Sequence, residues 1–220
     1  MRKILTAILL LLLFTSSHEA IAQLPFENEI AAFKKQDSIS FPQKNAILFV
    51  GSSSFRMWTD VQSDFPGYTI INRGFGGSTL PDVIRYTDDI IIRYHPKQVV
   101  IYCGDNDLAS SDTVTASMVA TRFQQLFYAI RKNLPATNIS YVSIKPSPSR
   151  MHLIDKMKRA NTLIKSFLKK QRNASYIDVF NPMLAANHQP KQEIFLEDNL
   201  HMNKKGYAIW QKAIQPYLIK

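Results

Sequence analysis

The stretch that decides the fold is AILFVGSSS, residues 46–54. Five apolar residues lead into a glycine and then three serines. An apolar run of this length, ended by a turn residue, is typical of a buried strand in a parallel sheet. Gly51 permits a sharp turn, so the serines follow the carboxyl end of the strand, the edge where open α/β sheets bind ligands. A serine there can be a nucleophile, a helix cap or a phosphate contact.

The rest of the chain alternates predicted strands with predicted helices. Apolar runs indicate four further strands, at residues 68–72, 98–103, 139–144 and 175–179. Amphipathic segments between them indicate helices, the longest over residues 115–134 and 153–170. This alternation predicts an α/β fold, with a doubly wound parallel sheet of five strands and helices on both faces. Right-handed crossovers then place all the carboxyl-end loops along one edge of the sheet.

The first residues have the three parts of a secretory signal peptide. Met1-Arg2-Lys3 is basic, residues 4–14 are almost wholly apolar, and Ala20-Ile21-Ala22 is a small-x-small cleavage site. The apolar run is shorter than the roughly 20 residues of a membrane span, so a retained anchor is the less favoured alternative. We expect a signal peptide at residues 1–22, a single domain at residues 23–220, and an exported protein, periplasmic or secreted, without a stable membrane span.

Charge and cysteine content limit the classes of function. The net charge is +10, which raises the question of an anionic partner. The basic residues are scattered over predicted helix faces, so we expect no nucleic-acid binding. Cys103 is the single cysteine and stands in an apolar run, which predicts a buried thiol and no internal disulfide. Neither zinc-ligand spacing nor a glycine-rich phosphate loop occurs, and we predict no metal and no cofactor.

Two segments at the predicted sheet edge provide the residue types of a hydrolytic triad. A serine hydroxyl is a weak nucleophile until a base takes its proton. His201 is the histidine with a carboxylate three residues earlier on a predicted turn. Asp198 could accept its Nδ1 proton, fix the tautomer and leave Nε2 facing a serine of residues 52–54. The pattern favours Ser-His-Asp catalysis but does not by itself choose among the three serines.

An oxyanion hole requires hydrogen-bond donors near the nucleophile. Gly77, in the glycine-rich segment after the second strand, can offer a backbone N–H without a side chain in the way. Asn106, in the segment Gly104-Asp105-Asn106-Asp107 after the third strand, can offer its side-chain amide. The N–H of the serine itself, at a helix start, is a third candidate donor.

In order along the chain, these segments resemble the four blocks of the SGNH hydrolases, also called GDSL-type esterases and lipases. Gly51-Ser52-Ser53 stands where the family has Gly-Asp-Ser, and Gly77 matches the glycine of the second block. Residues 104–107 match Gly-x-Asn-Asp, and residues 198–201 match Asp-x-x-His. The similarity extends from about residue 47 to residue 207, and its context is similar to the bacterial branch that resembles platelet-activating-factor acetylhydrolases.

The resemblance implies a flavodoxin-like, three-layer α/β/α sandwich and assigns roles to the site residues. Ser53 would be the nucleophile, His201 the base and Asp198 the residue that orients it. The Ser53 N–H, the Gly77 N–H and the Asn106 amide would form the oxyanion hole. Ser52 departs from the usual aspartate of the family, but that residue is outside the triad, so we expect catalysis to survive.

The function expected from these residues is a serine esterase that cleaves an acyl ester, short-chain or acetyl, through an acyl-enzyme. An acyltransferase to a carbohydrate hydroxyl and a catalytically silent binding protein are the alternatives. The expected partner is a small-molecule, carbohydrate or lipid ester. Lys145 and Arg150 follow the fourth strand, where they could meet an anionic substrate or belong to an ordinary solvated loop.

Overall fold

A computed structural model of the protein describes residues 24–220. It contains one parallel sheet whose strand order is β2-β1-β3-β4-β5, the flavodoxin-like order. The strands are β1 Ile47–Gly51, β2 Ile70–Gly74, β3 Gln98–Tyr102, β4 Asn138–Val142 and β5 Ala174–Ile177. The predicted α/β fold with five parallel strands is therefore confirmed. The predicted signal peptide lies outside the described residues.

Helices cover both faces of the sheet and complete a three-layer α/β/α sandwich. They are α1 Glu27–Ile39, α2 Ser53–Arg56, α3 Val61–Asp64, α4 Leu80–Arg85, α5 Thr87–Ile90, α6 Asp105–Ala109, α7 Ala116–Asn133, α8 Ile154–Leu168 and α9 Lys204–Ile214. Short 3-10 helices span Ile92–Tyr94, Pro148–Leu153, Asn181–Met183, Gln192–Ile194 and Gln215–Tyr217. Within residues 24–220, no helix has both the length and the apolar character that a membrane crossing requires.

The two faces of β1 show how the core is divided. Because successive side chains of a strand point to opposite faces, Leu48 and Val50 join the core beneath α4, α5, α7 and α8. Ile47 and Phe49 join the second core, beneath α2, α3 and α9. All four side chains are fully buried. This burial on both faces explains why the strand is a continuous apolar run rather than an alternating one.

Polar side chains define where the helices next to the site begin. The Asn203 side chain accepts the N–H of Lys205 at 2.9 Å and caps α9. The Thr79 N–H donates to Asp82 Oδ2 at 2.9 Å at the start of α4, in a capping box. The Thr115 hydroxyl accepts the N–H of Met118 at 3.2 Å at the start of α7. The entry angle of each of these helices is thus fixed locally.

Several predicted boundaries differ from the structure. The sequence predicts one short helix over residues 55–61, which the structure divides into α2 and α3. It predicts a second helix that carries apolar residues from 83 to 94, which the structure divides into α4, α5 and a 3-10 turn. At the second break, the Thr87 hydroxyl donates to the Val83 carbonyl at 3.0 Å and competes with the helical ladder. The sequence predicts a carboxyl-end loop at residues 104–107, but Asp105–Ala109 form α6. It also predicts a proline-rich loop over residues 145–150, and part of that segment belongs to the 3-10 helix Pro148–Leu153.

A buried ion pair fastens α1 to the sheet. Arg73 on β2 donates to Asp37 on α1 at 2.6 Å, and the Tyr94 hydroxyl donates to the other oxygen of Asp37 at 2.5 Å. Both the Arg73 and Asp37 side chains are almost completely buried. Because Asp37 receives two donors, the pair is a satisfied anchor rather than an isolated buried charge. It holds the carboxyl-terminal end of α1 near the carboxyl end of β2.

Candidate active site

The turn after β1 admits only glycine at its centre. Gly51 has a φ of +137°, and a Cβ atom there would lie 1.9 Å from the carbonyl oxygen of Tyr102. The Ser52 N–H donates to that same carbonyl at 3.0 Å. The chain therefore leaves the sheet sharply at Gly51, and Ser53 becomes the first residue of α2 at the sheet edge.

Ser53, His201 and Asp198 form a continuous hydrogen-bonded chain. Ser53 Oγ lies 2.9 Å from His201 Nε2, across 148 residues of sequence. His201 Nδ1 lies 2.5 Å from Asp198 Oδ2. Of the neighbouring serines, Ser52 has a buried hydroxyl without a hydrogen-bond partner in the described part of the chain. The structure thus brings together the three residues that the motif had selected.

Asp198 has the electrostatics of a residue that orients an imidazole. Its Oδ1 accepts the N–H groups of Leu200 and His201, both at 2.9 Å. Partial burial raises the pKa of Asp198, but the His201 ring and these two N–H groups outweigh burial and lower that pKa to about 2. The carboxylate is therefore ionised at neutral pH. It favours the tautomer whose proton is on Nδ1, which leaves the Nε2 lone pair facing Ser53.

The loop between β2 and α4 brings two of the candidate oxyanion donors together. A Cβ atom on Gly77 would lie 3.7 Å from Asn106 Nδ2, so these two groups stand side by side. Within residues 24–220, the backbone N–H groups of Ser53 and Gly77 donate to no other group. Asn106 Nδ2 gives one hydrogen to the Ser78 carbonyl at 3.2 Å. The Ser78 hydroxyl donates to the Gly51 carbonyl at 3.2 Å, which ties the loop to the turn that carries Ser53.

The first residues of α1 hold the same loop from outside, which the sequence did not predict. The Gly76 N–H donates to Glu29 Oε2 at 2.9 Å. This carboxylate oxygen also lies 3.8 Å from Arg56 Nη1 on α2. A Cβ atom on Gly76 would lie 2.2 Å from the Phe26 ring, so the ring requires glycine here. Glu29 thus bridges the Gly77 loop and the helix that begins with Ser53.

Asp107 fastens the other end of this loop. Its Oδ2 accepts the Leu80 N–H at 2.9 Å, and its Oδ1 accepts Arg122 Nη1 at 2.8 Å. Burial raises the pKa of Asp107, and the bonds from Leu80 and Arg122 only partly oppose that rise. Asp107, the second acidic residue of the Gly-x-Asn-Asp block, therefore links α6 to α4 and α7, and both of its carboxylate oxygens are used in doing so.

Aromatic packing joins the helix of Ser53 to the helix that follows His201. The Tyr207 hydroxyl donates to the Ser54 carbonyl at 2.8 Å, and the Tyr207 ring stacks on Trp58 with centroids 5.0 Å apart. Deeper in the core, Phe55 meets Trp210 edge to face at 5.8 Å. Edge-to-face and offset stacked rings are favourable in cores. This cluster fixes the relative position of α2 and α9, on which the distance between Ser53 and His201 depends.

Neither expectation for Lys145 agrees with its position. Its side chain is 1% exposed, so it is neither part of a solvated loop nor open to a substrate. Its Nζ lies 3.3 Å from Asp105 Oδ2. Arg150 is also largely buried, and its Nη2 donates to Asn106 Oδ1 at 2.7 Å. The structure thus directs both cations to the Gly-x-Asn-Asp block.

The described residues offer little to a metal ion or to thiol chemistry. Within residues 24–220, no group of three His, Cys, Asp or Glu side chains is arranged to hold a metal. Cys103 is fully buried, as predicted, and burial raises the pKa of its thiol. A buried thiol of this kind is a poor nucleophile because the thiolate is the reactive form.

Comparison with known proteins identifies the family. The model of the GDSL-like lipase/acylhydrolase family matches residues 37–209. The chain belongs to this family. The match includes all four segments at the sheet edge, so the GDSL-like acylhydrolase assignment agrees with the resemblance of the motifs. No curated protein matches the sequence.

Solved structures share the fold of this GDSL-like acylhydrolase at low sequence identity. A Streptococcus pneumonia protein, described provisionally as a platelet activating factor, has a TM-score of 0.76 and 21% identity over 88% of this chain and 92% of its own. A GDSL-like lipase from Bacteroides thetaiotaomicron has a TM-score of 0.72 and 18% identity, over 86% and 96%. A mutant acetyl-xylooligosaccharide esterase from Geobacillus Stearmophilus has a TM-score of 0.63 and 15% identity, over 81% and 98%.

Proposed function

We propose that this GDSL-like acylhydrolase is a serine esterase with Ser53 as nucleophile, His201 as general base and Asp198 as its orienting carboxylate. The observation that carries the proposal is the 2.9 Å contact between Ser53 Oγ and His201 Nε2, continued by the 2.5 Å contact between His201 and Asp198. A hydroxyl and an oriented base at this distance are the requirement for nucleophilic catalysis.

In the acylation step, Ser53 Oγ attacks the carbonyl carbon of the ester while its proton passes to His201 Nε2. The carbonyl oxygen becomes an oxyanion that accepts hydrogen bonds from the Ser53 N–H, the Gly77 N–H and Asn106 Nδ2. The carbon–oxygen bond to the alcohol then breaks, and His201 returns the proton to the leaving oxygen. The products of this step are a free alcohol and an acyl group on Ser53.

Deacylation repeats the same chemistry with water. His201 Nε2 takes a proton from a water molecule, whose oxygen attacks the acyl carbon, and the oxyanion forms at the same three donors. Collapse breaks the bond to Ser53 Oγ, which recovers its proton from His201, and the carboxylic acid leaves. Asp198 stays ionised throughout and stabilises the imidazolium that forms in both steps.

We propose that the acyl group is short, with acetyl as the first candidate. Support comes from two structures with a similar fold whose names include an acetyl group, an acetyl esterase and an acetyl-xylooligosaccharide esterase. A panel that compares acetylated sugars with p-nitrophenyl esters of increasing chain length tests this part. Turnover that rises steadily toward long acyl chains would contradict it. Addition of an acceptor sugar, followed by product analysis, separates hydrolysis from acyl transfer.

Serine replacement tests the nucleophile. Ser53→Ala should reduce the hydrolysis of p-nitrophenyl acetate by several orders of magnitude and abolish labelling by a fluorophosphonate, with the thermal midpoint unchanged. Ser52→Ala is the matched control, because the Ser52 hydroxyl has no hydrogen-bond partner among residues 24–220. Full activity in Ser53→Ala would refute the assignment. Absence of labelling in the unmodified protein would favour a silent binding protein.

We also propose that the protein acts after export, with cleavage following Ala22. The proposal rests on the basic, apolar and small-residue parts of residues 1–22. Mass spectrometry of the protein recovered from the periplasm and from the medium tests it. A chain that begins at residue 23 in either fraction is the expected result, and an intact residue 1 in the cytoplasm would contradict it.

A further inference from the structure

A buried charged cluster stands directly behind Asn106. Asp105, Lys145 and Arg150 have side chains that are 4%, 1% and 14% exposed. Asp105 Oδ2 lies 3.3 Å from Lys145 Nζ and 3.0 Å from Arg150 Nη1. Lys145 Nζ also reaches the Tyr102 hydroxyl at 3.2 Å. Charged groups this deeply buried are found where they have partners, because an unpaired buried charge is strongly unfavourable.

One nitrogen of this cluster donates a hydrogen bond outside the cluster, to the side-chain amide of Asn106. Arg150 Nη2 donates to Asn106 Oδ1 at 2.7 Å. On the other side of the same amide, Asn106 Nδ2 donates to the Ser78 carbonyl at 3.2 Å. A guanidinium can only donate and a carbonyl can only accept. The two neighbours therefore determine which end of the amide is oxygen and which is nitrogen, an assignment that is ambiguous for many asparagines.

The charges around Asn106 also make its Nδ2 a stronger hydrogen-bond donor. Arg150 is permanently cationic. Burial raises the pKa of Asp105, but the charges of Lys145 and Arg150 outweigh burial and lower it, so Asp105 is an anion that holds the guanidinium in place. A cationic donor on the amide oxygen polarises the amide and makes its N–H groups stronger donors, an effect that a low local dielectric increases.

We propose that Arg150 is a positioning residue for the reaction: it orients the Asn106 side chain so that Nδ2 faces the oxyanion, and Asp105 holds Arg150 in turn. The inference rests on the proposed esterase function. It replaces the idea that Arg150 meets an anionic substrate, because the two guanidinium nitrogens described above already contact Asn106 and Asp105. Without Arg150, the Asn106 amide can rotate and present its oxygen where the negative charge develops.

The size of the effect follows from what Arg150 controls. Loss of one oxyanion donor costs about 10²- to 10³-fold in kcat. In Arg150→Met the Ser78 carbonyl can still accept a hydrogen bond from Nδ2. We therefore expect kcat to fall about 10- to 100-fold, less than after complete loss of the donor. KM should stay within about twofold, because the lost interaction develops only in the transition state. Lys145 still compensates Asp105 in this variant, so the fold should be retained.

A double-mutant cycle with p-nitrophenyl acetate tests the inference. Arg150→Met should lower kcat in the wild-type background and change it by less than about twofold in the Asn106→Ala background, where there is no amide left to orient. Arg150→Lys, which keeps a cationic donor, should recover part of the lost rate. If Arg150→Met does not fold, Arg150→Lys in the two backgrounds is the readout. Arg131→Met is the matched control, since Arg131 donates to the carbonyls of Pro135 and Thr137 and contacts neither Asn106 nor Asp105.

Each outcome of the cycle separates the inference from its alternatives. An equal loss of kcat in both backgrounds, with a lower thermal midpoint, would overturn it in favour of a purely structural role. A rise in KM confined to anionic esters would overturn it in favour of substrate binding. If Ser53→Ala is inactive while Arg150→Met matches wild type, the inference fails and the esterase proposal stands. If Ser53→Ala retains wild-type activity, both fail.

Discussion

Asp198→Asn is the sharpest test of how the base is oriented, because it changes one atom and keeps the turn. The asparagine Oδ1 can still accept the N–H groups of Leu200 and His201, which Asp198 Oδ1 now accepts at 2.9 Å. Its NH₂ group replaces the oxygen that lies 2.5 Å from His201 Nδ1. A donor facing Nδ1 selects the tautomer with the proton on Nε2. That imidazole cannot take the proton of Ser53.

The expected loss follows from the exposure of the carboxylate. Replacement of a buried aspartate by asparagine in a serine-protease triad lowers kcat about 10⁴-fold. Asp198 has 46% of its side chain exposed, so water can partly replace it and the penalty should be smaller. We expect about 10³-fold, which corresponds to about 4 kcal/mol of transition-state stabilisation.

The assay is kcat/KM for p-nitrophenyl acetate at neutral pH, together with the thermal midpoint of each variant. Glu197→Gln is the matched control, because it removes the neighbouring exposed negative charge and should change the rate less than about twofold. A loss below about tenfold in Asp198→Asn, with an unchanged midpoint, would refute the tautomer argument. So would an equal loss in Glu197→Gln, because bulk charge would then explain the effect.

Two further results are expected. Glu29→Ala should lower kcat about tenfold with little change in KM, as measured by steady-state kinetics. The reason is that the Gly76 N–H loses a charged acceptor worth about 1.5–3 kcal/mol, so the Gly77 loop is less firmly held. An unchanged kcat would show that Phe26 alone is enough to hold the loop. The pKa of Asp198 is lowered to about 2 in the folded protein from an ordinary 3.8. The stabilisation is therefore present above about pH 4 and disappears as pH falls toward about 2, so the stability difference between wild type and Asp198→Asn, measured by urea unfolding, should shrink in that window. A difference that stays constant would contradict the role of these hydrogen bonds.

The sheet and the long helices were predictable because their signals are local and repetitive. The apolar run at residues 46–50 predicted a buried strand, and the alternation of strands and helices predicted a doubly wound parallel sheet. The flavodoxin-like arrangement was implied by the resemblance of the motifs. The helix predicted over 115–134 is α7, whose apolar residues recur at helical spacing. The short helices were not predictable. The break between α2 and α3 depends on contacts such as that of Trp58 Nε1 with Asp64 Oδ2 at 2.6 Å, and no periodicity reports such a contact.

The candidate site also contains residues that could be predicted from the sequence and residues that could not. Ser53, Asn106 and His201 could be placed together because each belongs to a motif at the predicted carboxyl edge of the sheet. Arg150 and Glu29 could not be assigned, because their partners are 44 and 47 residues away and no motif links them. A cation in a proline-rich segment looks like a surface residue. Only the packing of that segment against α6 shows that it is buried and directed at an amide.

The short separation between Asp198 and His201 has a consequence for how the enzyme would fail. The carboxylate and the imidazole lie on one turn, so their geometry persists whenever that turn is folded. The contact with Ser53 instead spans 148 residues and depends on the docking of two helices. Under the proposed chemistry, turnover therefore depends directly on the distance between Ser53 and His201, which lie far apart in the sequence. Heat or denaturant that loosens the packing of α9 against α2 should abolish catalytic activity while the sheet is still intact. Loss of activity should therefore precede unfolding.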